Sequence, residues 1–99
     1  MESQQDILNL IDRRVKLRFM KEKKASRTYI EGLDKFFDLE TIKTLTKVIQ
    51  KKLSTGYTTK VDENNIVVGH GYNGDHKERI KKFLVDDYNI PEDKIIMCS

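Results

Sequence analysis

The sequence of 99 residues contains one cysteine, one proline and no tryptophan. Because Cys98 has no second cysteine to pair with, an internal disulfide is excluded, and a reducing compartment fits. No apolar run approaches the roughly 20 residues that a membrane-spanning helix needs. The first six residues lack the basic region and the apolar stretch of a secretory signal peptide. We therefore expect a cytoplasmic, monomeric protein with no membrane partner.

The spacings that metal binding and catalysis require are also missing. His70 and His76 form no HxxxH pair and no CxxC pair exists, so no zinc site is expected. Residues 69–74 match the dinucleotide fingerprint GxGxxG, but that motif opens a βαβαβ unit, and only one helix and one strand follow here. We interpret this segment instead as a strand end that its glycines relax or bulge. The expectation is a protein without catalytic residues, cofactor or metal.

Acidic residues are scarce in two segments of the chain. From Arg13 to Arg27 there are eight basic residues and one acidic residue, Glu22, and from Thr41 to Val61 there are five lysines and no acid. Acids collect instead at residues 31–40 and 86–93. The formal net charge is only +3, so this segregation, rather than the total, predicts a basic face and an acidic back.

Hydrophobic periodicity predicts a single domain over residues 13–99, preceded by a short lead, residues 1–12, for which an amphipathic turn and a frayed tail are both open. Asp38 and Asp75 are predicted N-caps of two helices, and Gly56 is the predicted left-handed residue after the first helix. The predicted elements are strands at 15–20 and 27–33, a helix at 39–53, strands at 57–61 and from 66, a helix after 75, and a strand at 94–98. The order ββαββαβ predicts an α+β two-layer sandwich, a mixed β-sheet with both helices on one face.

The tip of the first predicted hairpin is strongly cationic. A loop with this charge, held out by two strands, packs poorly but suits phosphate. We predict contact with nucleic-acid phosphate for four of its residues: Lys21, Lys23, Lys24 and Arg27. The alternative is a solvated, lysine-rich turn that discourages pairing of the strand edge.

Lysines also recur on the first predicted helix. Lys43, Lys47 and Lys51 follow at four-residue steps with Lys52 beside them, and like charges at this spacing oppose one another. A helix surface selected only for stability normally mixes signs. We therefore favour an exposed basic stripe that binds RNA over a merely solvated face.

Three blocks of this sequence, in order and spacing, resemble the eukaryotic and archaeal translation initiation factor 1 family. The first is the basic tip followed by Thr-Tyr-Ile-Glu-Gly-Leu at 28–33, and the second is Lys-Lys-Leu-Ser-Thr-Gly at 51–56. The third is Gly-Asp-His-Lys at 74–77, before Ile-Lys-Lys-Phe-Leu at 80–84. Lys77 departs from the family's usual arginine, and the stretch 69–73 resembles an insertion before the third block.

The resemblance implies a non-catalytic initiation factor that binds small-subunit ribosomal RNA near the peptidyl site and promotes accurate start-codon selection. Its implied partners are the small ribosomal subunit, the initiator tRNA region and other initiation factors. It adds Gly56, Asp75, His76 and Lys77 to the candidate RNA-binding residues. The alternative is a general RNA-binding or ribosome-associated translation regulator on the same fold.

Overall fold

A computed structural model describes residues 13–21 and 24–98, so the predicted lead lies outside the described residues. Within them, five strands and two helices follow one another in the predicted order ββαββαβ. The strands are β1 (Val15–Lys21), β2 (Ser26–Glu31), β3 (Tyr57–Val61), β4 (Val67–Asn73) and β5 (Ile95–Cys98), and the helices are α1 (Leu39–Leu53) and α2 (Lys77–Tyr88).

All five strands form one sheet in the order β3-β4-β2-β1-β5. The pairs β1–β2, β2–β4 and β3–β4 are antiparallel, whereas β5 runs parallel to β1. The sheet is therefore mixed, which confirms the predicted α+β class. The β1–β2 register runs from Lys16 opposite Glu31 to Lys21 opposite Ser26, so the ends of the two strands that lead into the basic tip lie at one end of the sheet.

Both helices cover the same face of the sheet. Alternation along the strands sends Leu17, Ile30 and Tyr72 to that face, where each is completely buried. The apolar faces of α1 and α2 meet them in a single cluster, so burial of one helix supports burial of the other. The hydroxyl of Tyr72 donates to the carbonyl oxygen of Thr46 on α1 (2.8 Å), which satisfies the polar end of this core aromatic side chain.

The predicted residue caps the N-terminal end of α1, but the left-handed residue at its C-terminal end is not the predicted one. Asp38 caps the helix as expected, since its Oδ1 accepts from the amide of Thr41 (2.8 Å). Hydrogen bonding from the Thr41 side chain, and then from its backbone amide, lowers the pKa of the carboxyl. The left-handed residue at the other end is Ser54, with φ of 50°, rather than Gly56. The prediction for Gly56 was wrong because the residue directly after Leu53, Ser54, already adopts the left-handed conformation that ends the helix.

The glycine-rich segment lies at the end of a strand, as the sequence predicts. It belongs to β4, an interior strand that pairs with β2 on one side and β3 on the other. The register shifts where Lys60 pairs with Gly69 and Val61 pairs with Val67, so the extra, bulged residue is Val68 of β4, next to the glycines. Gly71 is needed because a Cβ there would lie 2.7 Å from Cε1 of the buried Tyr29 ring and 3.0 Å from Cγ2 of Thr58. The close approach of the Tyr29 ring therefore explains why residue 71 is a glycine.

We predict that Gly71→Ala lowers the free energy of unfolding by about 1–3 kcal/mol, the usual cost of overpacking a filled site. The new methyl group must displace the Tyr29 ring, which is only 7% exposed. Urea denaturation monitored by circular dichroism measures the change.

Gly69→Ala is the matched control on the same strand. A Cβ at Gly69 meets its nearest atom, Cβ of Lys60, at 3.5 Å, which is an ordinary contact. This variant should keep or slightly raise the stability, since alanine loses less conformational entropy on folding than glycine. Equal destabilisation by both variants would contradict the role assigned to Tyr29.

Candidate nucleic-acid interface

The hairpin tip presents its charges to solvent where the structure describes it. Lys21 ends β1 and Lys24 lies in the turn, and both are exposed, whereas Lys23 lies outside the described residues. Arg27 is half-buried at the start of β2, with its Nε 3.4 Å from Oδ1 of Asn73 on β4. The base of the tip is thus tied to the neighbouring strand, while its lysines remain accessible.

Lys43, Lys47 and Lys51, the basic stripe from here on, lie along one side of α1 and are all exposed. They border two shallow depressions between this helix and the segment that begins β3, where Gly56 and Tyr57 form the opposite wall. Among residues 13–21 and 24–98, no carboxylate lies within ion-pair distance of these three ammonium groups. Their charge is therefore available to a ligand.

Lys52 departs from the predicted four-lysine stripe. Its Nζ lies 3.5 Å from Oδ2 of Asp87 and 4.8 Å from the centre of the Phe83 ring, both on α2. One residue along a helix turns the side chain by about 100°, which directs Lys52 away from Lys51 and towards the second helix. The stripe prediction was wrong for Lys52, whose charge is partly compensated within the chain.

Thr28 joins β2 to the segment that precedes α2. Its completely buried hydroxyl donates to the carbonyl oxygen of Gly74 (2.6 Å) and accepts from the backbone amide of His76 (2.9 Å). The amide of Gly74 in turn donates to the carbonyl oxygen of Ser26 (2.7 Å). These bonds hold the Gly-Asp-His-Lys block beside the base of the hairpin tip.

This arrangement corrects the predicted cap at Asp75. The N-cap position of α2 is occupied by His76, whose side chain makes no capping hydrogen bond. Asp75 is exposed, and the chain turns to reach Thr28 before the helix begins at Lys77. The hydroxyl of Thr28 accepts from the amide of the N-cap residue itself, and Asp75 is left on the surface without a capping bond.

Asn73 connects the segment that follows α1 to the base of the hairpin tip. Its amide donates to the carbonyl oxygen of Gly56 (3.2 Å), and its own carbonyl oxygen accepts from the hydroxyl of Thr55 (3.1 Å). A Cβ on Gly56 would lie 2.6 Å from the Asn73 side-chain amide nitrogen. Gly56 therefore permits close approach of Asn73, which is the role that a glycine has here instead of a helix cap.

His76 and Lys77 complete the surface. One ring nitrogen of His76, Nε2, lies 2.8 Å from the carbonyl oxygen of Asn73. The ammonium group of Lys77 lies 5.8 Å from the centre of the Phe19 ring on β1, close enough for a weak cation–π contact. The hairpin base, the end of α1 and the start of α2 therefore meet at one end of the sheet.

Thr28 and Asn73 were missed by the sequence analysis, although both organise this surface. The one available signal for Thr28 is a polar residue at an inward position, two residues before the buried Ile30. Asn73 gave no signal, because its partners Gly56 and Arg27 lie 17 and 46 residues away in the chain. Long-range hydrogen bonds of this kind leave no local pattern.

The other histidine of the chain, His70, was not a candidate site residue and lies apart from this surface. Its Nδ1 lies 2.6 Å from the hydroxyl of Tyr57, and burial lowers the pKa of the imidazole, against an opposing effect of the Asp34 charge. In residues 13–21 and 24–98, no group of three histidine, cysteine or acidic side chains could hold a metal ion. Nor does any helix in that part of the chain have the length and apolar character to cross a membrane.

The family model described as translation initiation factor SUI1 matches residues 13–91. The chain belongs to the SUI1 family of translation initiation factors. The match includes the first four strands and both helices, and it confirms the resemblance inferred from the three sequence blocks. A comparison with curated proteins finds no match.

A solved structure supports the fold of this SUI1 chain. The C-terminal domain of human eIF2D superposes with a TM-score of 0.68 at 11% sequence identity. The superposition covers 85% of this chain and 42% of the eIF2D chain. At this identity the likeness concerns the fold alone.

We predict that Thr28→Val destabilises this SUI1 domain by about 1–3 kcal/mol, because valine keeps the shape but leaves the Gly74 and His76 backbone groups without their partner. Asp75→Ala should change the free energy of unfolding by less than about 0.5 kcal/mol, as expected for a surface residue without a cap bond. Urea denaturation distinguishes the two.

Thr28→Ser is the conservative control, since serine keeps the hydroxyl and loses one methyl group. Its stability should lie closer to that of the unchanged protein than that of Thr28→Val. A larger loss of stability for Asp75→Ala than for Thr28→Val would restore Asp75 as the cap and contradict the assignment.

Proposed function

We propose that this SUI1 chain binds small-subunit ribosomal RNA near the peptidyl site and promotes accurate start-codon selection. It acts in the cytoplasm and without catalysis, beside the initiator tRNA region and in contact with other initiation factors. The observation that carries the proposal is the meeting of three predicted RNA-contacting segments, the hairpin base, the end of α1 and the start of α2, at one end of the sheet.

The backbone geometry supports a surface of fixed shape. Thr28 and Asn73 hold the three segments by hydrogen bonds of 2.6–3.2 Å, so the cationic side chains start from defined positions. An RNA-binding surface that is already ordered loses less conformational entropy on binding. Phosphate contacts made from such a surface fix the orientation of the protein and do not read the RNA sequence.

The charges support the assignment of roles within the surface. The basic stripe has no counter-ion among the described residues and lies along a helix, so it is suited to anchoring on the phosphate backbone of ribosomal RNA. Lys21 and Lys24 lie exposed at that end of the sheet, and we assign the lysines of the hairpin tip to the initiator tRNA and decoding region. In this proposal α1 anchors the protein on ribosomal RNA, and the hairpin tip discriminates between start codons.

We predict that combining Lys43→Ala, Lys47→Ala and Lys51→Ala weakens binding to isolated small ribosomal subunits. The slope of log affinity against log salt concentration should become less steep by about 0.7–0.9 for each phosphate that the variant no longer neutralises. Alanine favours helix, so α1 should remain folded. Fluorescence anisotropy of labelled protein over a salt series measures both quantities.

The matched control removes three other exposed lysines: Lys35, Lys60 and Lys82. It changes the net charge by the same amount, so a general electrostatic effect weakens both variants equally. Equal loss of affinity would show that attraction is nonspecific and would contradict the anchoring role of the basic stripe.

We predict that the double variant Lys21→Ala and Lys24→Ala increases initiation at near-cognate codons relative to AUG in a reconstituted initiation assay. Arg27 is left unchanged because its guanidinium contacts Asn73. The basic-stripe variant, compared at saturating protein concentration, is the control for reduced binding. Weaker subunit binding with unchanged codon choice would favour the general RNA-binding regulator over the start-codon factor.

A further inference from the structure

A second surface lies between the first turns of α1 and the inner face of the β3–β4 hairpin. This groove has a volume of about 620 Å³ and is separate from the junction around Thr28 and Asn73. Leu39 forms part of one wall, and Ile66, Val67 and Val68 form part of the other. Facing apolar walls between a helix and a hairpin suit the apolar face of an amphipathic helix.

The walls of the groove hold an unusual share of exposed apolar surface. Among the described residues, five large apolar side chains are exposed, and all but Val61 line this groove. Leu39 is 66% exposed and Ile66 is 60% exposed. Single exposed apolar residues are ordinary, but a contiguous set on facing walls is typical of an interaction site.

The charges around the groove indicate what occupies it. Asp34 lines it, Asp38 and Glu40 flank Leu39, and the turn before Ile66 contains Asp62 and Glu63. Hydrogen bonding from the Thr41 side chain, and then from its backbone amide, lowers the pKa of Asp38. The basic residues near these five carboxylates are Lys35 and Lys43, and Lys43 lies one helical turn beyond Leu39. The mouth of the groove is therefore acidic.

We propose that the groove binds an amphipathic helix of a partner protein whose apolar side chains are flanked by lysine or arginine. Its apolar face would cover Leu39 and Val67, and its basic flanks would face the carboxylates at the mouth. A second copy of this chain fits less well, because a two-fold contact through this face would place the same carboxylates opposite one another.

Two synthetic 14-residue amphipathic peptides test the proposal. Both carry the same leucine face, and their polar positions are lysine in one and glutamate in the other. Titration of the ¹⁵N-labelled protein should give saturable shifts at Leu39, Thr59 and Val67 with the lysine peptide. The glutamate peptide should bind at least about tenfold more weakly, since like charges then meet at the mouth.

Val67→Ser and Val61→Ser form a matched pair. Both valines are 46% exposed and they lie opposite each other on β4 and β3, but only Val67 lines the groove. Val67→Ser should weaken binding of the lysine peptide by about tenfold, as expected when a packed apolar side chain is removed, and Val61→Ser should leave it nearly unchanged. Neither should alter binding to small ribosomal subunits.

Three results would overturn the proposal. Equal binding of the two peptides would remove the charge argument. Equal binding of the lysine peptide to both valine variants, or shifts confined to Asp86 and Asp87 on α2, would indicate nonspecific attraction. Self-association that Val67→Ser abolishes, seen by analytical ultracentrifugation without peptide, would assign the groove to a second copy of the chain.

Discussion

The buried hydroxyl of Thr28 is the group on which the arrangement of the candidate interface depends. It lies on the strand that carries the basic tip, and its two hydrogen bonds reach the backbone of Gly74 and His76. A buried hydroxyl without partners is unfavourable, and so is an unpaired amide at the start of a helix. The hydroxyl and the backbone groups therefore satisfy one another, and these hydrogen bonds fix the path of the chain into α2. The position of the surface thus follows from backbone hydrogen bonding, and only its charge follows from the lysines.

Helix α1 shows how neighbouring lysines acquire different roles. Lys51 and Lys52 are adjacent in the sequence, but Lys52 lies over the Phe83 ring and within 3.5 Å of Asp87. Lys51 lies on the side where no described carboxylate is within ion-pair distance. Repeated like charges at four-residue steps destabilise an isolated helix by about 0.2–0.5 kcal/mol for each pair. Packing of the apolar face of α1 offsets this cost, and the uncompensated side is the one that supports a role in binding phosphate.

The sequence was sufficient to predict the element order, the mixed sheet and the span of α1, because these depend on periodicity and on a local cap at Asp38. It was insufficient wherever a contact joins distant segments. Asp75 looked like a cap because the competing hydroxyl of Thr28 lies 47 positions earlier in the chain. The glycines at 69 and 71 were interpreted as residues that relax a strand end, because nothing nearby in the sequence indicates that the Tyr29 ring occupies the space beside Gly71. The groove was equally hidden, since its walls come from α1 and from a hairpin that follows it.

One helix borders both surfaces of this chain, which makes them physically dependent on each other. Lys43 belongs to the basic stripe and also lines the groove. Alone, its ammonium group opposes the approach of a cationic helix to the inner end of the groove. A phosphate bound to Lys43 compensates that charge and removes the opposition. Because coupling between two binding sites is reciprocal, a basic helix in the proposed groove site would then favour phosphate at Lys43 to the same degree.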